Sequence, residues 1–168
     1  MQKWVISTHI IAVGATPETD MQELIQKYQT KASDGSLMDI FKQLDKGFAD
    51  DYNKRNFTGL LNYYTTSATL IPMNIGDDDS AGVIQRGDIP RYFQMGEEVM
   101  GIQAISLVPT MARLDAGSDT VAHEIGVSTL VQQGKTQFGY YYTRWVKEND
   151  QWLNDLDVLE IGLWMEEP

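Results

Sequence analysis

Four polar residues in the C-terminal third of the sequence could do chemistry together: His123, Arg144, Asp155 and Asp157, with Tyr142 beside them. A carboxylate set in an apolar wall has a raised pKa, so it can act as a base or, protonated, as a hydrogen-bond donor. A neighbouring phenol can stabilise an enolate oxygen. The chemistry this suggests is cofactor-independent acid–base work, with Asp157 as base and Tyr142 and His123 assisting. The same residues have a plainer and commoner use: an Arg144–Asp155 ion pair and a Tyr142–Asp157 hydrogen bond between strands.

Two tight turns must position these residues. Asn149-Asp150 and Gln133-Gly134 each sit between long strand-like runs, and two-residue turns fix antiparallel register. The first turn places Glu148 opposite Gln151, Arg144 opposite Asp155 and Tyr142 opposite Asp157. The second places Gln132 opposite Lys135, Ile125 opposite Tyr142 and His123 opposite Arg144. Side chains alternate, so two faces follow. One carries Ile125, Val127, Phe138, Tyr140, Tyr142, Val146, Leu153, Leu159 and Ile161, together with His123, Arg144, Asp155 and Asp157. An apolar wall with a few convergent polar groups is the usual make-up of a small-molecule pocket, so this face is expected to be concave. The other carries Glu124, Ser128, Tyr141, Thr143, Trp145, Lys147, Trp152 and Asn154, with Leu156 and Val158. There, small residues oppose rings, Ala122 against Trp145 and Gly126 against Tyr141, and this face is expected to be convex. One bulge would reverse part of the assignment.

Upstream the pattern changes to helices. Leu37, Ile40, Phe41, Leu44, Phe48 and Tyr52 follow helical spacing, with Asp39, Lys42, Asp45, Lys46, Asp50, Asp51 and Lys54 mostly on the other face. A short helix is expected around Thr58 to Tyr64, short strands at 68–72 and 82–85, and a third helix from Asp88, a plausible N-cap followed by Pro90 in the first turn. Strands are expected at 103–114, 119–132, 135–148 and 151–163. Helices first and a four-strand meander last define an α+β chain. Residues 1–35 read as an extension with a possible strand and a short helix after Pro17, and 36–168 as the domain.

The order of these features resembles the nuclear transport factor 2-like superfamily, in particular its SnoaL-like branch. The residues that carry the likeness are the helix ending Phe48-Ala-Asp-Asp-Tyr-Asn-Lys-Arg-Asn-Phe57, then Leu60-Leu-Asn-Tyr-Tyr-Thr-Thr-Ser-Ala-Thr-Leu-Ile-Pro72, Arg86-Gly87, Val121-Ala-His-Glu-Ile-Gly126, Tyr142-Thr-Arg-Trp145, Trp152 and Asp157. The resemblance implies a cone-shaped curved antiparallel sheet wrapped around N-terminal helices, often with a pocket and often dimeric. It includes both isomerase, dehydratase and cyclase enzymes and non-catalytic binding domains, so the fold does not settle function.

Three readings follow: a domain enclosing a small apolar or aromatic molecule, an enzyme of the isomerase, dehydratase or cyclase type, and an oligomerisation module with a filled cone. A homodimer is expected in the first. Tyr64, Tyr92, Tyr140, Arg144 and Asp155 are the expected ligand contacts. Tyr64 and Tyr92 are singled out because a buried phenol hydroxyl needs a partner. A net charge of −11 argues against nucleic-acid and anionic membrane partners. With no cysteine and two histidines, neither a metal nor another cofactor is expected. Asp77, Asp79, Gly82, Ile84 and Asp88 imitate part of a calcium loop, but Ala81 breaks the pattern and a solvated acidic loop is favoured. A cytoplasmic chain is favoured over a secreted one, in which residues 1–15 would be a signal peptide.

Overall fold

The computed structural model describes residues 35–73 and 82–160. The expectations for residues 1–34, for Asp77, Asp79 and Ala81 of the acidic loop, and for Ile161 and the end of the last strand to 163 lie outside them. In chain order the elements are α1 (Gly35–Asn53), a 3-10 turn (Thr58–Tyr63), β1 (Tyr64–Met73), β2 (Ile84–Gln85), a 3-10 turn (Arg86–Asp88), α2 (Ile89–Glu98), β3 (Ile102–Leu114), β4 (Val121–Gln132), β5 (Lys135–Glu148) and β6 (Gln151–Glu160). The strands form one curved, unclosed sheet in the order β2-β1-β6-β5-β4-β3. The expected meander is its larger part. β1 joins it parallel to β6, with α2 and the rest of the meander lying between them in sequence.

Both hairpin turns fall where the sequence puts them. Gln133, Gly134, Asn149 and Asp150 all have positive φ, which a two-residue turn of type I′ requires at both central positions. The resulting β4–β5 register pairs His123 with Arg144, Ile125 with Tyr142, Ala122 with Trp145 and Gly126 with Tyr141.

Helix α1 lies on the sheet with Leu37, Met38, Phe41, Phe48, Ala49 and Tyr52 buried. Ile40, expected in the apolar stripe, is exposed, and Asp45, expected on the polar face, is buried. The Phe41 ring stacks on Trp145 with centroids 5.0 Å apart and meets Trp152 edge-on at 5.8 Å. The face bearing Trp145 is therefore the inner one. The expected faces are exchanged: Glu124, Ser128, Tyr141, Thr143 and Trp145 face the helices, while His123, Tyr142 and Arg144 lie on the far side of the same strands. At its other end α1 is tied to β3 by Asn53, whose side chain donates to Ile105 O at 3.0 Å and accepts from Ile105 N at 2.9 Å. Asp88 precedes α2 but forms no side-chain cap.

One irregularity in β6 changes the site. Trp145 pairs with Asn154 but Arg144 pairs with Leu156, so Asp155 is an extra residue. A bulge puts two residues opposite one and shifts the alternation beyond it. Asp157 consequently pairs with Thr143, not Tyr142. It lies on the inner face with Leu159.

Candidate functional site

Between α1, α2 and the inner face of the sheet is a cavity of about 580 Å³. Its walls are mostly apolar and aromatic: Phe48, Tyr52, Tyr63, Tyr92, Phe93 and Trp145, with Ile102, Ile105, Leu107, Leu130 and Leu159. Edge-on contacts hold the rings of Phe48 against Tyr63, Tyr64 and Phe93, with centroids 5.3–6.1 Å apart. Met95 and Val99, the exposed apolar residues of α2 and its end, also line it.

Asp157 is the principal polar group. It lines the cavity yet is only 5% exposed. Tyr64 Oη donates to its Oδ2 at 2.6 Å, and Thr143 Oγ1 approaches Oδ1 at 3.5 Å. Burial pushes the Asp157 carboxyl up to about 7. The Tyr64 hydrogen bond pulls it down, nearby Asp45 pushes it up, and Asn154 and Thr143 help to hold it down. Burial likewise raises the Tyr64 phenol well above its ordinary range, so it stays a donor. Asp157 is therefore poised between acid and base near neutral pH.

A second polar group shares the wall. Tyr141 Oη lies 2.5 Å from Asp45 Oδ2 and 2.7 Å from Glu124 Oε1, and Trp145 Nε1 donates to Glu124 Oε2 at 2.6 Å. A phenol has one hydrogen to donate. Two carboxyl contacts to one phenol oxygen thus need a second proton, carried by Asp45 or Glu124. Burial supplies the reason: it pushes Asp45 up to about 6 and, with the charge of Asp45, drives Glu124 well above the usual carboxylate range. Tyr141 can reach both acids because Gly126 lies beneath it. A Cβ at Gly126 would come 2.1 Å from Tyr141 Cζ.

Of the residues expected from sequence, Asp157 and Tyr92 line the cavity. Tyr64 stands behind Asp157 and holds it. His123, Tyr140, Tyr142, Arg144 and Asp155 are not among the lining residues. Four of them, His123, Tyr142, Arg144 and Asp155, make polar contacts on the outer face instead. His123 Nδ1 and Tyr142 Oη are 2.8 Å apart, His123 Nε2 is 3.4 Å from Asp115, and Arg144 binds Asp155, its Nε at 3.1 Å from Oδ2. Asp155 also accepts from Thr65 at 3.1 Å. The Arg144–Asp155 ion pair is thus real, though not in the expected register, and Tyr142 and Asp157 are on opposite faces.

The sequence reading missed Asp45, Tyr141, Glu124 and Asn154. The signal for Asp45 was its spacing, four residues after Phe41 and three before Phe48. For Tyr141 and Glu124 it was the small-against-ring pairing, which marks where a helix-covered wall must make room for rings. Among the described residues no cluster of three potential metal ligands occurs, and no helix is long and apolar enough to cross a membrane.

No protein-family model and no curated protein matches this sequence. Solved structures do. An NTF-2-like protein of unknown function from Shewanella oneidensis aligns with 16% identity over 73% of this chain and 97% of its own, with a TM-score of 0.55. A domain of unknown function with a cystatin-like fold from Nostoc punctiforme aligns with 11% identity over 80% and 82%, at 0.61. A protein provisionally assigned as a scytalone dehydratase, from Novosphingobium aromaticivorans, aligns with 14% identity over 75% and 84%, at 0.54. With the six-stranded curved sheet, the helices on its inner face and the cavity between them, these likenesses show that the chain has the nuclear transport factor 2-like fold.

Proposed function

We propose that this domain binds a small apolar or aromatic molecule in the cavity, as a SnoaL-like binding domain. The observation that carries this reading is the cavity itself. About 580 Å³ of mainly apolar space with a few buried polar groups falls within the range of small-molecule sites. It also speaks against a cone filled by its own side chains. The test is a titration with 1-naphthol, a neutral bicyclic aromatic, followed by amide chemical shifts. Saturable shifts at cavity residues are expected. Their absence, with this and other neutral aromatics, would remove the reading.

A second reading, acid–base catalysis of the isomerase, dehydratase or cyclase type, is favoured by one observation. Asp157 has a carboxyl near 7, touches the cavity and is oriented by Tyr64. In this reading Asp157 is the base. The donor would come from the Tyr141–Asp45–Glu124 group, whose Tyr141 and Asp45 line the same cavity, in place of Tyr142 and His123. Asp157→Asn should then lower turnover of a confirmed substrate by about 10²-fold or more. Unchanged turnover would sink the base assignment.

A homodimer is part of the proposal. The second copy would pack on the outer face of β4 and β5, where Ile125, Phe138 and Tyr140 are half-buried and so partly accessible.

A further inference from the structure

The cavity carries acids without a matching base. Asp157 comes from β6 and Asp45 from α1, and both line it. Glu124, from β4, lies directly behind Tyr141 and Trp145. Among the described lining residues the one basic side chain is Arg91. It is more than half exposed and already bound to Glu98 at 2.7 Å, which places its charge at the rim. Among the described residues nothing inside the cavity offers an anion a counter-charge.

Hydrogen bonding points the same way. Asn154 lines the cavity and is 5% exposed. Its amide NH₂ is engaged with Asp157, which leaves Oδ1 as its free end, and that buried oxygen has no hydrogen-bond partner. Tyr52, 1% exposed and also on the lining, has an unpartnered hydroxyl. A buried acceptor without a donor costs stability unless a ligand supplies one. The surrounding rings of Phe48, Tyr52, Tyr63, Tyr92, Phe93 and Trp145 present faces and edges to the same space, and aromatic faces attract cations.

We infer that the ligand of this cavity carries a protonated amine on an apolar or aromatic body, its ammonium group seated against Asp157 and Asn154 Oδ1. An ammonium brings three donors and a positive charge. It satisfies the orphaned acceptor, supplies the missing counter-charge to Asp157 and stacks its carbon body on the rings. The net charge of −11 further favours the approach of a cation over an anion.

This inference rests on the cavity being a binding site, and the experiment separates the two. Tryptamine, tryptophol and indole-3-acetate share one ring system and differ in a terminal ammonium, hydroxyl or carboxylate. Their affinities for the full chain are measured by calorimetry at pH 7, with 1-naphthol as a neutral reference. Tryptamine should bind at least about tenfold more tightly than tryptophol, and indole-3-acetate most weakly, as a charge-assisted hydrogen bond in a water-poor site requires. In Asp157→Asn the ratio of tryptamine to tryptophol affinity should fall to about threefold or less. Arg144→Ala, on the outer face and away from the cavity lining, should retain the full ratio. Tryptophol or indole-3-acetate binding as tightly as tryptamine, an advantage that survives Asp157→Asn, or 1-naphthol binding without tryptamine overturns the amine inference and leaves the cavity reading standing. Failure of all four to bind overturns both.

Discussion

Asp157 gathers most of the chemistry of this molecule. Its carboxyl is buried, bonded to Tyr64 and raised to about 7, against 3.8 for an ordinary aspartate. Between these values the native state holds a proton that the unfolded chain has released. The resulting stability is therefore fully present below about pH 4 and is lost as the pH rises through 7. Asp45, raised to about 6, adds to the same trend. The ligand-free protein should melt at a lower temperature at pH 8 than at pH 5. Asp157→Asn should remove much of that slope and stabilise the protein at pH 8, by up to ~4 kcal/mol for a shift of this size. Identical slopes for the two proteins in thermal melts would contradict the burial of Asp157. Tyr64→Phe acts in the opposite sense on the acid. Without the phenol hydrogen bond the Asp157 pKa should rise further, at a stability cost of about 1–2 kcal/mol. A carboxyl carbon NMR titration reads the first effect and chemical denaturation the second.

At the scale of elements, the bulge at Asp155 and the glycine at 126 decide what the cavity contains. Asp155 shifts the second half of β6 so that Asp157 turns inward, and Gly126 lets Tyr141 lie flat between two acids. Gly126→Val should displace Tyr141 and cost about 1–3 kcal/mol or more, with weaker ligand binding as a second effect. Arg144→Ala, by contrast, removes an outer-face ion pair that is partly exposed, and it should cost no more than about 1 kcal/mol and leave 1-naphthol affinity unchanged. A loss of affinity in Arg144→Ala would return the site to the outer face. The strands, the turns and the β4–β5 register were legible in the sequence because Gln133-Gly134 and Asn149-Asp150 leave little freedom in pairing. The choice of inner face was not. Alternation says which residues share a side but not which side a helix covers, and here the more apolar side, with Ile125, Val127, Phe138 and Tyr140, is the outer one. Asp157 reached the cavity in spite of that reversal: the expected face was the wrong one, and the bulge carried Asp157 back across the sheet. Tyr142 and His123, on β5 and β4, whose mutual register has no bulge, stayed on the outer side.

At the scale of the whole molecule, the described residues form one curved sheet, one long helix and one shorter helix that enclose a space their side chains do not fill. The proposed second copy would pack on the outer strands against the repulsion between two chains of −11 each. Native mass spectrometry should show twice the chain mass, and a purely monomeric spectrum would contradict the dimer. The most direct test of the whole account is the 1-naphthol titration followed by amide chemical shifts, because it reports both whether the cavity binds and which face of the sheet does so. Saturable shifts concentrated at Ser128, Tyr141, Thr143, Asn154 and Asp157 on the sheet, and at Tyr92 and Phe93 on α2, are the predicted result. Shifts concentrated on the side chains and amides around His123, Tyr142 and Arg144, or no saturable shift at all, would contradict it.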